Sequence, residues 1–284
     1  MKLSKIFALL LALCLISSAA CAATFTDAHG NVIELDDSLE AYAAVTLVGA
    51  DNAARQGETN LGDLWADALR WFAVSGEINA AFDEDDVKAG NDRIAVDADH
   101  VVALWNGGNL RADIAEGTFG AEALAEVLPF PNKVAVVYMT GAQLLETLEA
   151  ASQGLPYTAE TADACASLMQ VSGLTYTVDT TKAYDALEAY GDHWFTAGSV
   201  SRVRIDDVNG QPFDAEATYA VVTSNANFNG MDSSYVLKVA AEANEQSAVT
   251  TAVVRDVVFR FIASELNNQV GEAYAAPQGR LTIL

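Results

Sequence analysis

The run Val101-Val102-Ala103-Leu104-Trp105, with the turn that stops it, constrains this chain most. Five consecutive apolar residues are too few for a helix and suit a strand buried in a core. Asn106 ends the run, and Gly107-Gly108 lets the backbone turn and approach a ligand closely. Arg111 follows, with a planar guanidinium suited to a carboxylate or a phosphate. A strand end carrying an amide, a bare backbone and an arginine is a candidate small-molecule site. An ordinary N-G-G turn is the plainer reading of the same residues.

Such a strand needs a core to enter, and 284 residues can supply one large domain or two small ones. Met1–Ala22 reads as an export leader: Lys2 and Lys5 open it, Ile6–Ile16 is apolar, and Ala20 and Ala22 form a small-residue cleavage site. No later stretch reaches the roughly 18 apolar residues of a membrane helix, so no transmembrane segment is expected and the mature protein is expected to be soluble and exported. Cys21 sits among small residues, as a lipid-modified cysteine would. Ser18, however, stands where a lipoprotein signal normally has Leu, Val or Ile. Cleavage after Ala22 is the reading adopted, and lipidation of Cys21 is the alternative. Cys14 and Cys21 then leave with the leader, Cys165 remains alone, and no internal disulfide can form. The net charge is −24, and −26 once the two leader lysines are removed. That field repels nucleic acid and anionic lipid, so any phosphate site must be a local arginine cluster.

Along the chain, Thr24–Leu35 reads as a hairpin around His29-Gly30-Asn31. Asp27 and His29 have the spacing of a nascent metal site. The other two histidines, His100 and His193, lie in no ligand-like cluster, so no metal is expected. Leu61, Leu64, Trp65, Ala68, Leu69 and Phe72 recur at three and four and predict a helix within Arg55–Ala73, its start capped by Thr59 or Asn60. Arg55, just before its start, could join the helix terminus in holding an anion; a solvated arginine is the plainer reading. Asp83-Glu84-Asp85-Asp86 lacks calcium-loop spacing and reads as a solvated loop. A helix across Ala121–Leu128 gives way to Leu128-Pro129-Phe130-Pro131-Asn132, where two prolines constrain Phe130. Lys133–Met139 predicts a strand, and Thr140-Gly141-Ala142-Gln143 has capping-box spacing for a helix through Ala151. Leu155–Ser167 reads as an irregular crossing. Strands follow at Met169–Val178, Ser201–Asp206, Thr218–Thr223 and Arg280–Leu284, with an excursion at Thr180–Ser199, a tight turn at Asn209-Gly210 and a polar loop over Ser224–Tyr235. A second amphipathic helix is expected over Val249–Leu266.

Five segments, in order, resemble the C-terminal domain of the 5′-nucleotidase family. They are R-Q-G-E-T-N-L-G-D-L-W-A-D-A-L (55–69), A-L-W-N-G-G-N-L-R (103–111), L-P-F-P-N (128–132), Q-V-S-G-L-T-Y-T-V-D (170–179) and T-Y-A-V-V-T-S-N (218–225). The resemblance implies a mixed α/β fold, a layered α/β/β/α sandwich, that binds nucleotide or nucleoside. It divides the chain into a leader (1–22), an N-terminal hairpin and linker (23–44) and the family domain (45–284). In the family, two aromatic rings sandwich the base, an asparagine and arginines hold polar groups, and an aspartate reads the ribose. Arg55, Asn106, Gly108 and Arg111 match the polar positions, Phe130 the first ring, and Asp232 the ribose aspartate.

This sequence departs from the family twice. Ala226 occupies the position of the second ring, leaving Phe228, two residues on, as the alternative, and Ser233-Ser234 replaces family glycines. The family's metallophosphatase domain, with its two metals and catalytic histidine, has no counterpart in the short stretch before the matched region. The expectation is therefore an exported binding domain with no catalytic residues, metal or cofactor of its own, acting alone or completing a separate metallophosphatase chain in nucleotide catabolism. A 5′-nucleotidase-type phosphoric ester hydrolase is the first alternative. A surface scaffold or adhesion module that has lost the ligand is the second.

Overall fold

The computed structural model describes residues 23–26, 32–35, 40–82, 94 and 96–284. The leader, Cys21, Asp27, His29 and the run Asp83–Asp86 lie outside the described residues. The chain divides into two units, Met1–Leu39 and Glu40–Leu284. In the first, β1 (Ala23–Thr26) pairs antiparallel with β2 (Val32–Leu35), in the register of the expected hairpin.

The second unit opens with β3 (Ala41–Ala43), the short helix α1 (Ala53–Gln56) and the long helix α2 (Asn60–Val74). It continues through β4 (Val101–Asn106), β5 (Gly117–Phe119), α3 (Ala121–Val127), β6 (Lys133–Thr140) and α4 (Gly141–Ala151). Strands β7 (Met169–Ser172), β8 (Leu174–Val178), β9 (Ala186–Ala189), β10 (Phe195–Ala197), β11 (Val203–Val208) and β12 (Thr218–Ser224) follow. The chain ends with α5 (Asn225–Phe228), α6 (Tyr235–Ala243), β13 (Ala248–Val253), α7 (Val254–Ser264), β14 (Gln269–Val270) and β15 (Leu281–Ile283).

Among the described residues the fold is mixed α/β and layered. The largest sheet has the order β13-β6-β12-β4-β7, with β12 parallel to β4 and the other neighbours antiparallel. Every residue of β4 is buried, as its apolar run predicts. Its Trp105 ring lies 6.1 Å from Trp65 of α2. Val102 and Leu104, alternating with Trp105, join a hydrophobic cluster with Leu144 and Leu148 of α4, Leu237 of α6, and Tyr176 and Ile205 of a smaller sheet ordered β11-β8-β15. A third sheet, β14-β3-β5, includes β3 and lies within the second unit.

The helix expected within Arg55–Ala73 forms as α2, with Thr59 accepting the Gly62 N–H at 3.0 Å as its cap; the short α1 before it goes unrecognised in the sequence, and the chain breaks between the two at Gly57. Buried Gln170 of β7 satisfies the broken backbone. It donates to the carbonyls of Ala54 and Gly57 and accepts from the Thr59 N–H, fixing α1 beside the end of β4. The helix expected over Val249–Leu266 begins only at Val254. The β-branched residues before it pair with β6, where strand hydrogen bonds win over a helical apolar pattern. The strand over Met169–Val178 breaks at Gly173, whose φ of 81° admits glycine readily. The capping box at Thr140 forms as its spacing predicts.

Candidate functional site

The site is assembled where β4 ends. Asn106 is fully buried, and its Nδ2 donates to Asp232 Oδ2 at 2.8 Å. Asn109 Nδ2 in turn donates to Asn106 Oδ1 at 2.7 Å. The Asn106 amide is therefore engaged on both sides, and its role is to orient Asp232. Sequence reasoning missed Asn109, although its spacing three residues beyond Asn106, across one tight turn, is the local signal for the pairing.

Gly107 and Gly108 are glycine for a reason the sequence does not suggest. A Cβ on Gly107 would lie 2.0 Å from the Ala54 carbonyl oxygen, and one on Gly108 2.7 Å from Ala166 Cβ. Neither has a positive φ. Both are buried, and the surface they approach closely is the protein itself.

Arg55 lies within the short α1, ahead of the Thr59 cap that starts α2. Its Nη1 donates to the Ala162 carbonyl at 2.9 Å and lies 3.8 Å from Asp163 Oδ1. Arg111 is exposed, and its guanidinium carbon sits 5.7 Å from the centre of the Phe130 ring, within cation–π range. Among the described residues no hydrogen-bond or ion-pair partner meets that guanidinium. Phe130 is 40% exposed between its two prolines, so its ring is available. Burial raises the Asp232 carboxyl above the usual range, while Arg55, Arg111 and the Asn106 amide pull it back. Burial and the charge of Arg55 lower Arg111, with Asp232 opposing. Arg55, Arg111 and Asp232 thus form one electrostatic cluster beside an aromatic face.

The loop that presents Asp232 is bent sharply: Asp232 and Ser233 have φ of 50° and 64°. Left-handed backbone costs a non-glycine residue about 1–2 kcal/mol. Here hydrogen bonds hold it. Ser233 Oγ donates to the Ala150 carbonyl at 3.0 Å and accepts from Gln153 Nε2 at 2.6 Å, and Ser234 Oγ accepts from Asn227 Nδ2 at 2.8 Å. Ser233 and Ser234 therefore anchor the loop. Phe228 is partly buried and packs against the main hydrophobic cluster.

Sequence reasoning also missed Asp163, Tyr190 and His193. They reach the site through contacts with residues distant in sequence, which no local spacing reveals. His100 instead packs against Tyr219, with ring centres 5.5 Å apart and the rings tilted by 42°. Among the described residues no group of three or more His, Cys, Asp or Glu side chains is placed to hold a metal ion. Two guanidiniums, an oriented carboxylate and an accessible ring suit an anionic, hydroxyl-bearing ligand with a flat apolar part.

A family profile described as "5'-nucleotidase, C-terminal domain" matches residues 40–239. The chain belongs to this family. The match to the nucleotidase C-terminal domain contains Arg55, Asn106, Gly108, Arg111, Phe130, Phe228 and Asp232. The 5′-nucleotidase precursor of Thermus thermophilus has a similar structure, with a TM-score of 0.62 and 29% identity over 86% of this chain and 39% of that one. The NAD nucleotidase of Haemophilus influenzae shares the fold, with a TM-score of 0.56 and 16% identity over 86% of this chain and 38% of its own. The trifunctional nucleotide phosphoesterase protein YfkN of Bacillus subtilis (strain 168) is 28% identical over 188 residues, 65% of this chain and 10% of that protein. This nucleotidase C-terminal domain therefore spans well under half the length of each of these relatives. Among the described residues no helix is long and apolar enough to cross a membrane.

Proposed function

We propose that this chain is an exported nucleotide- or nucleoside-binding domain that takes part in nucleotide catabolism, completing a phosphatase centre carried on a separate chain. The convergence of Arg55 and Arg111 on Asp232, beside the accessible Phe130 ring, carries this reading. The guanidiniums take the phosphate, Asp232, held by Asn106, accepts from ribose hydroxyls, and Phe130 stacks on the base. Export rests on the leader pattern of Met1–Ala22. The Thermus thermophilus 5′-nucleotidase precursor and the Bacillus subtilis nucleotide phosphoesterase, both similar to this chain, support the substrate class.

Calorimetry with AMP, adenosine and other nucleosides tests the reading. Binding is expected, weak and tolerant of the base because one ring is in place, with AMP preferred over adenosine. Phosphate release assays with Mn²⁺ or Zn²⁺, with and without a candidate phosphatase chain, test the catabolic role. A second reading is a scaffold that has lost its ligand, favoured by Ala226 and by the packing of Phe228 onto the core. Absence of binding across the panel would establish it in place of the first.

A further inference from the structure

The excursion between β8 and β11 carries the hairpin β9–β10, whose strand β9 is exposed throughout, with Leu187 70% exposed. The hairpin is fastened to the body near its tip. The Tyr190 hydroxyl donates to the Gly230 carbonyl, and the Phe195 N–H donates to Gln153 Oε1 at 2.8 Å. The same Gln153 donates to Ser233, so the hairpin is fixed on both sides of Asp232.

This anchoring carries His193 to Asp163. His193 Nε2 lies 3.9 Å from Asp163 Oδ2, while Asp163 Oδ1 lies 3.8 Å from Arg55 Nη1. The Asp163 side chain is 74% exposed and that of His193 is 52% exposed. A solvent-facing carboxylate thus stands between a hairpin histidine and a site arginine. Left to Arg55 alone, it would compete with any anionic ligand for that guanidinium and repel its phosphate.

We propose that His193 is a positioning residue for anion recognition: it draws Asp163 toward the hairpin and so leaves Arg55 to the phosphate of a nucleotide. The inference rests on the nucleotide-binding reading and adds the element that sets preference for a phosphorylated ligand over its nucleoside. The ligand's phosphate meets Arg55 and Arg111, and His193 acts only through Asp163.

The test is calorimetry of four proteins, wild type, His193→Ala, Asp163→Asn and the double variant, each with AMP and with adenosine. Both side chains are exposed, so melting temperatures should match. Measured at a pH where the imidazole carries its proton, so that the pair is charged, His193→Ala should weaken AMP about two- to fivefold, the scale of an exposed ion pair, and leave adenosine unchanged. Asp163→Asn should tighten AMP by a similar factor, and the double variant should bind AMP as Asp163→Asn does. A loss from His193→Ala that persists in the Asp163→Asn background overturns the inference, because His193 then touches the ligand itself. Unchanged AMP binding by His193→Ala also overturns it and leaves the nucleotide-binding reading standing. A wild-type protein that binds neither ligand removes both.

Discussion

Arg280 and Arg111 each face an aspartate whose carboxyl is raised by burial, in opposite settings. Arg280 donates to the Val171 carbonyl at 2.7 Å, to Asp67 Oδ2 at 2.8 Å and to Gln278 Oε1 at 2.7 Å, and its Nε lies 3.7 Å from Asp63 Oδ1. Burial works against its charge, but Asp67 and Asp63 outweigh it and hold its pKa above the ordinary value. Arg111 is pushed the other way by burial and by Arg55. Its charge is met by Asp232 at a distance and by the Phe130 ring. The first cluster is closed around Asp67: both terminal nitrogens of Arg280 have acceptors, and the cluster ties the approach to β15 onto α2. The second holds two cations close together, with Asp163 beside Arg55 and Asp232 facing both, yet among the described residues no hydrogen-bond or ion-pair partner meets the Arg111 guanidinium. A guanidinium left open beside a second cation is what an anionic ligand would complete, and the proposed binding role of Arg111 and structural role of Arg280 rest on that contrast.

Breaking the closed cluster should have the largest effect. Arg280→Ala leaves the largely buried Asp67 carboxylate without its ion-pair partner and the Val171 carbonyl without its donor, and removing one partner of a buried pair costs about 3–5 kcal/mol. Chemical denaturation should show that loss, with nucleotide affinity unchanged in the protein that remains folded. If Arg280→Ala instead lowered affinity at unaltered stability, the two clusters would have exchanged roles.

Asp63 sharpens the contrast through pH. It is fully buried, and Glu58 and Asp63 both accept from the one Gln278 N–H, at 2.8 and 3.0 Å, which brings two carboxyls together. Burial first, and then Glu58, push Asp63 up to about 8 from 3.8, against the pull of Arg280. The native protein therefore keeps this proton where the unfolded chain has lost it. The stability linked to Asp63 is fully present below about 4 and falls as pH rises through the window to about 8. Asp63→Asn should remove the dependence, because its amide can accept from Gln278 and donate to Glu58. Within that window wild type should lose stability relative to the variant by roughly 1 kcal/mol per pH unit. Parallel curves for the two proteins would show that Asp63 is ionised in the folded state.

At the open cluster, Arg111→Ala should cost about 1.5–3 kcal/mol in nucleotide binding, the range for hydrogen bonds to charged groups, and barely change the melting temperature. Equal losses in folding and binding would make Arg111 structural.

The legible parts of this molecule are those decided within one segment. The β4 run, the Leu61–Phe72 stripe and the Thr140 capping box each state their structure in adjacent residues, and each forms. What escapes is decided across the chain. Gln170 binds the backbone between α1 and α2 from a strand more than a hundred residues away. Pairing with β6 converts the start of the Val249–Leu266 pattern to strand. The polar loop after β12 contains α5, and α6, which follows it, goes unrecognised because its two apolar turns are too short to mark a period. At the site, the motif residues Asn106, Arg111 and Asp232 can be named singly. That Asn109 orients Asn106, and that Asp163 faces both Arg55 and His193, depends on contacts that only the fold creates.

The base end of the site remains, where the structure offers one ring. Phe130 is held by Pro129 and Pro131, so little entropy is lost when a base stacks on it, and Phe130→Ala should remove about 1–3 kcal/mol of binding. Ala226 is half-buried and carries no ring. Phe228 packs on the cluster of Leu237 and Leu144, and its ring contributes to folding there. Phe228→Ala should therefore lower the melting temperature while nucleoside affinity stays near the wild-type value. Ala226→Phe should tighten nucleosides by up to one stacking contact, about 1 kcal/mol at the low end of the range, since the added ring must also find room beside the 226–231 turn. The three variants discriminate jointly. If Phe228→Ala costs as much binding as Phe130→Ala, the ring turns from the core to the ligand and the sandwich is shifted by two residues. If Phe130→Ala has no effect while Arg111→Ala does, the site recognises an anion without a base, and the ligand is a phosphorylated small molecule other than a nucleotide.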